Sequence, residues 1–504
     1  MYLVDHHIAT LFGLHLPQPL AAFLTVALIV FLFRRDIREK PNVSGALWLP
    51  LIWLFLSCSR NLSLWLKLSG LPVSGPGSVQ EGSPLDACFY LVLATASIWV
   101  LANRQVDLSK IVSNNGFLIA FFLYCFISVA WSDFPLVSFK QWIKIFAHPM
   151  MALIVLTEPD FEEALTRLMK RCAYVVVPVS ILWIKYYPQY GTSYDDWGAQ
   201  MNQGITIGKN SLGADCLILG FFFFWHLLQT ERTERSTQRR NELRLIAGFL
   251  IGIGWLFAKA RSTERRNELR LIAGFLIGIA WLLSKAHSAT ATICLLVAIL
   301  IVVFIGIRPT IKNFIGMYML AALVLLVAAE LAFGISGRLS ASLGRGADLT
   351  GRTELWEHCL QFQADPIFGA GFESFWLGER RDKIAAFYHK WRPGGAHNGY
   401  LSIYLNLGLI GLSLLIGLLM ATFWKIRLEL FRNFEWGRCQ LGFLGAVILY
   451  NWTEAAFKSH SSIWFVFYII GMKYPRTHLA SAQPSLGVAR PEESREFAYA
   501  EAEP

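Results

Sequence analysis

The chain has 504 residues, 55% of them hydrophobic and 16% charged, with a mean hydropathy of +0.45. A soluble domain carries about 25% charged residues, so a chain this apolar lacks the polar surface that water requires and needs a bilayer around it. In such a protein the net charge of +10 belongs to loops beside anionic lipid, and no long soluble basic stretch exists to hold nucleic acid, which is excluded as a partner.

A helix needs roughly 20 apolar residues to cross about 30 Å of hydrocarbon. Runs near that length fall at residues 17–33, 45–58, 85–102, 116–131, 142–156, 172–187, 211–228, 290–307, 314–333, 400–424, 441–452 and 463–472. With one copy of a repeat described below, the expectation is an all-α, polytopic membrane protein of about 12–13 transmembrane helices, filling residues 1–472. The first run lacks a basic start and a small-residue cleavage site, so no cleavable leader is expected. The eight cysteines are scattered without a CxxC or Cys/His cluster, which supports neither a disulfide framework nor a zinc site.

Lysine and arginine set the orientation. Dense basic loops carry Arg34, Arg35, Arg38 and Lys40, then Arg167, Lys170 and Arg171, then residues 232–244, then Lys425, Arg427, Arg432 and Arg438. These are assigned to the cytoplasm, with sparse loops at 60–87 and 132–141 outside. The polar tail at 473–504, rich in glutamate, is expected to be cytoplasmic and disordered.

Residues 240–263 (RNELRLIAGFLIGIGWLFAKARST) recur almost unchanged at 266–289 (RNELRLIAGFLIGIAWLLSKAHSA), a tandem duplication over 240–289. Both copies begin with basic residues, and only residues 259–270 separate their apolar stretches. That is too short to recross the membrane, so one copy is non-spanning, re-entrant or interfacial, unless the duplication is an error of sequence assembly. The second copy runs directly into the next apolar run and is expected to be the span.

The basic bias fails once. A long hydrophilic loop at 334–399, placed outside by the alternation, carries Arg338, Arg345, Arg352, Arg380, Arg381, Lys383, Lys390 and Arg392. The guanidinium fork suits phosphate oxygens, so the loop either holds a lipid-linked phosphate or is a solvated surface.

Within it, GRTELWEHCLQFQADPIFGAGFESFW (351–376) precedes AHNGYLSIYLNLGLIGL (396–412). The pattern is Gly351-Arg352, Trp356, Pro366-x-x-Gly369-x-Gly371, His397-Asn398-x-Tyr400-Leu401, then Leu407-Gly408 and Gly411. It resembles the signature of the bacterial O-antigen ligase and polymerase family. WSDFPLVSFKQWIK (131–144) and GITIGKNSLGAD (204–215) are similar to two further family segments, so the resemblance covers roughly residues 115–470. Length, the SKAHSATAT turn and the lack of a large extra domain look most like rhizobial exopolysaccharide production proteins of the ExoQ type.

The resemblance implies a C-type glycosyltransferase architecture in the inner membrane. Its donor is a polyprenyl pyrophosphate-linked oligosaccharide, its acceptor a glycan, and its partners export and chain-length-control proteins. Polymerases pass the glycan to another lipid-linked repeat unit, whereas ligases pass it to a lipid A core. The pyrophosphate leaves readily, so the chemistry requires a base for the acceptor hydroxyl and cations for the released charge. His397 is the candidate base; its alternative is a helix-start histidine satisfied by backbone. Arg352, Lys209, Asn210, Lys285, Asn398 and Arg392 are the candidate substrate-binding residues. Arg352 alternatively caps a helix or pairs with Glu354, and Lys209 and Asn210 alternatively close a turn. Lys285 stands in for an arginine that relatives carry in the Ser284–His287 turn. Asp195-Asp196 reads as a turn, so no metal or cofactor is expected. A transporter of lipid-linked sugars and a non-catalytic assembly subunit are the other function classes; the first is disfavoured by spans nearly free of charge.

Overall fold

The computed structural model describes residues 16–71, 83–195, 198–230, 263–318, 352–388 and 393–474. The first copy of the duplication, most of the run at 314–333, the start of the outward loop, Arg392 and the tail from 475 lie outside the described residues.

The chain opens with α1 (Gln18–Arg38), α2 (Trp48–Ser57), α3 (Leu62–Leu68) and α4 (Pro84–Asn103). Next come α5 (Leu108–Asn114), α6 (Gly116–Ile127), α7 (Pro135–Leu156) and α8 (Phe161–Tyr186). A single turn, α9 (Pro188–Gly191), leads into a small antiparallel hairpin of β1 (Thr192–Tyr194) and β2 (Gln200–Asn202). The central bundle holds α10 (Lys209–Thr230), α11 (Thr263–Ala286) and α12 (Ala289–Ile307). The large loop carries α13 (Arg352–Gln361) and α14 (Gly378–Ala385), and α15 (Gly399–Arg432), α16 (Phe434–Thr453) and α17 (Ser462–Gly471) follow. The second copy of the duplication thus forms α11, which packs against α8 and α10.

The architecture is all-α and polytopic. Among the described residues, five helices are long and apolar enough to cross a membrane (α4, α10, α11, α12 and α15), or up to seven if two sharply bent pairs each count as one span. This count covers the described residues alone, which leave out the first repeat copy and most of the run at 314–333. α7 and α8 form where spans were expected, but carry Lys140, Lys144, Arg167, Lys170 and Arg171 along their length. Nor are the interior helices free of ionisable side chains. Asp215 is buried within α10 and accepts a hydrogen bond from Ser462 at 2.9 Å.

Several of the basic residues assigned to lipid-facing loops are internal. Arg167 and Arg171 of α8 pair with buried Asp36 of α1 at 2.9 and 2.7 Å. Lys170 bonds Glu268 of α11, which also meets Arg35 at 2.8 Å and His226 at 3.0 Å. A buried cation must be paired; these pairs tie α1, α8, α10 and α11 together at the end away from the large loop.

At the other end the loop plugs into a break in α15. Gly408 has φ +64 and ψ −164, so the helix ladder is interrupted there. The turn Pro366–Gly371 fills the gap. Leu409 N–H donates to the Pro366 carbonyl at 2.9 Å, and Gly371 N–H to the Asn406 carbonyl at 2.8 Å. A side chain at Gly408 would collide with the Ile367 backbone, and one at Gly369 with the Asn406 backbone. Close approach of two main chains is thus what the glycines of the motif permit. Gly408→Ala is expected to lose on the order of 3 kcal/mol, since a near-glycine-only conformation and a backbone collision combine. Thermal unfolding of the detergent-solubilised protein checks this; a midpoint equal to wild type would contradict the interlock.

Candidate functional site

α16 ends at Thr453, and Glu454 follows in an extended conformation that stops the helix. Asn451 shapes this turn: its side-chain oxygen accepts from the Ala456 and Phe457 amides at 2.8 and 3.1 Å. The Glu454 carboxylate is thereby fixed at the mouth of the bundle, only 9% exposed.

Three of the residues singled out in the sequence converge on it. Arg352, the first residue of α13, places Nη2 2.9 Å from Glu454 Oε1, and its Nη1 donates to the Thr453 carbonyl. Asn210, in the first turn of α10, donates to the same oxygen at 2.8 Å. His397 Nδ1 lies 3.2 Å from Glu454 Oε2. Four segments distant in sequence therefore meet at one carboxylate. Burial pushes the Glu454 carboxyl up, but its hydrogen bond to His397 and the charges of His397 and Arg352 outweigh this and hold it below the usual carboxylate range.

His397 has φ +49, a conformation uncommon outside glycine. Its neighbours impose it: the Ala396 carbonyl accepts from the Trp356 indole at 2.8 Å, and the Gly399 amide donates to the Glu454 carbonyl at 3.1 Å. Between these anchors the imidazole is 34% exposed. With Nδ1–H donated to the carboxylate, the basic lone pair is on Nε2, the tautomer logic of a carboxylate–histidine pair.

The other candidates are placed differently. Asn398 caps α15, accepting from the Leu401 amide at 3.0 Å. Lys209 begins α10 beside Asn210 and is half-exposed. Lys285, in the last turn of α11, offers its carbonyl to Asn202 at 3.0 Å and holds its ammonium 5.8 Å from the Trp281 ring centre. Among the described residues no hydrogen bond joins Lys285 to the Glu454 group. Asp195 takes the Ala199 amide at 2.8 Å, as a hairpin turn does. Trp131 donates to the Phe368 carbonyl at 3.3 Å, buttressing the loop.

A cavity of about 460 Å³ is lined by chain neighbours of the cluster, though not by Glu454, His397, Arg352 or Asn210 themselves. Gly394, Gly395 and Ala455 line it, and these flank His397 and Glu454 in the chain. Aromatic walls come from Phe372, Trp376 and Phe457, and charge from Lys144, Glu373, Arg381 and Lys458. Glu373 has φ +54 and accepts from the Ser459 amide at 3.1 Å; burial raises its carboxyl above the usual range. Desolvation lowers His460 to about 3, with Lys144 adding repulsion, so its imidazole is neutral.

Sequence reasoning missed Glu454, Glu373 and Lys144. For Glu454 the available signal was a lone carboxylate directly after an apolar run. Lys144 stood at the end of a quoted motif without a role.

Residues 271–416 match the O-antigen ligase family. The chain is also 26% identical, over 350 residues, to the exopolysaccharide production protein ExoQ of Rhizobium meliloti (strain 1021), a match covering 66% of this chain and 70% of the relative. Both likenesses agree with the resemblance carried by the motifs. His397 and Arg352 lie inside the family match, whereas Asn210 and Glu454 lie outside it.

Proposed function

We propose that the chain is a glycosyltransferase of polysaccharide assembly that polymerises lipid-linked repeat units, with His397 as its base and Glu454 as the group that orients it. The observation that carries this reading is the convergence of His397, Arg352 and Asn210 on one buried carboxylate, whose chain neighbour Ala455 lines a cavity large enough for sugar rings. The likeness to an exopolysaccharide production protein supports polymer growth over transfer to a lipid core.

In the reaction His397 Nε2 takes the proton of an acceptor hydroxyl. The oxygen forms a bond to the anomeric carbon of the donor glycan, and the bond from that carbon to the pyrophosphate oxygen breaks. The polyprenyl pyrophosphate leaves with the electron pair. Glu454 stabilises the imidazolium that forms, as a buried carboxylate does in a catalytic triad. Basic side chains balance the leaving charge; Arg381 and Lys458 line the cavity, and Lys209 and Lys285 are further candidates. The large loop then faces outward from the inner membrane, where lipid-linked repeat units are presented.

The test is the surface polysaccharide of a strain lacking the gene. Loss of polymer with accumulation of single lipid-linked repeat units is expected. Full-length polymer retained on its carrier would mean a ligase, and an unchanged polysaccharide would remove the protein from this pathway.

A further inference from the structure

Lys144 is a half-buried cation within α7, on which the carboxylates of Asp86 and Glu373 act electrostatically. Its ammonium stands over the Tyr90 ring, 5.4 Å from the ring centre. One side of this lysine lines the cavity that also takes Gly394, Gly395 and Ala455. Its other side lines a second space, a cleft of about 180 Å³ between α4 and α7. Gln141 and Lys144 line both. The two spaces are therefore neighbours across one pair of side chains.

Their linings differ in kind. The cleft is walled by Ala87, Cys88, Leu91 and Ile143, with Lys140 at its rim. Leu91 is 54% exposed and Cys88 is exposed, so the cleft opens on the flank of the bundle, where a membrane helix meets lipid tails. The cavity has aromatic walls and polar groups, the lining that sugar rings take. Between apolar cleft and polar cavity stands a cation held over a ring face, with the Asp86 and Glu373 carboxylates acting on it electrostatically. A desolvated ammonium gains most from a multiply charged anion. The sequence apolar cleft, cation, polar cavity matches a molecule built as lipid tail, phosphate, glycan.

We propose that the cleft between α4 and α7 is a lateral portal for the acceptor, an isoprenyl phosphate- or pyrophosphate-linked glycan, and that Lys144 binds its phosphate. The assignment to the acceptor rests on the transferase reading above. It leaves the donor to a separate approach, so the two lipid carriers would enter from different flanks.

Cys88 supplies the test, because the other seven cysteines are buried. The full-length protein in nanodiscs is labelled at Cys88 with a maleimide, with and without farnesyl pyrophosphate. At about ten times its dissociation constant the probe should slow labelling about tenfold. Inorganic pyrophosphate, which lacks the tail, and farnesol, which lacks the charge, should protect little. Lys144→Gln should abolish protection, and Lys144→Arg should keep most of it. His397→Ala should leave protection unchanged, which separates this site from the catalytic one. If His397→Ala still made polymer while protection depended on Lys144, the catalytic reading would fall and the portal would stand. Absence of protection, equal protection by inorganic pyrophosphate or by farnesol, or full protection in Lys144→Gln would overturn the portal. A thermal midpoint equal to wild type for Lys144→Gln confirms that the variant is folded.

Discussion

His397→Ala is expected to reach the membrane in normal amount and to lower turnover about 10²–10⁴-fold, the usual worth of a positioned general base. The residue sits at a loop edge, one-third exposed, so its removal leaves no core cavity. Arg352 and Asn210 continue to bind Glu454, so the carboxylate keeps partners and the fold persists. His397→Gln should fail as well, since an amide hydrogen-bonds the acceptor but does not take its proton. The check is polymer formation in a deletion strain at matched protein level. Normal polymer of normal chain length from either variant would remove His397 from the base role.

Glu454 is expected to separate catalysis from stability. Glu454→Gln keeps the shape and retains an amide oxygen for Arg352 and Asn210. It removes the charge that favours the imidazolium and allows the amide group to turn its N–H₂ toward His397 Nδ1, which would select the wrong tautomer. Turnover should fall by on the order of 10²-fold or more, the scale seen when a histidine loses its orienting carboxylate. Glu454→Ala should in addition lose about 3–5 kcal/mol, because it leaves the Arg352 guanidinium buried without its partner. The same lowered carboxyl makes a pH prediction. The charged form is favoured by folding, so its contribution is complete above the ordinary carboxylate range and is lost as pH falls through the lowered value. Melting of the three proteins at neutral pH, beside their polymer yields, reads both effects. A Glu454→Gln protein with full turnover would reduce Glu454 to a structural anchor.

The sequence made the loop motif legible because its residues have local physical causes. Glycines permit the turn that enters the α15 break, Asn398 is a good helix cap, and His397 sits where a loop meets a membrane helix. It did not make Glu454 legible. That residue joins His397 only because α15 and α16 pack side by side and bring Gly399 against the end of α16, a tertiary event with no periodicity. Arg352 was read as a fork for phosphate, yet in the fold two of its nitrogens hold Glu454 and the Thr453 carbonyl. Composition served the class of fold well, and the charges within apolar runs have several causes. A lysine or arginine in an apolar run lowers its hydropathy whether it faces lipid, a cavity or a partner; Lys144 faces a cavity and Arg171 faces Asp36. Asp195 closes its turn, as its loop setting suggested, while Arg392 lies beyond what the structure describes.

In the proposed reaction this chain joins lipid-linked repeat units through His397. This is tested most directly by incubating membranes that carry the wild-type protein or His397→Ala with extracted lipid-linked repeat units, then weighing the lipid-linked products by mass spectrometry. Wild-type membranes should give species heavier by whole repeat units, and His397→Ala membranes the starting unit alone. The same ladder from both membranes, or no ladder from the wild type, would contradict that reaction.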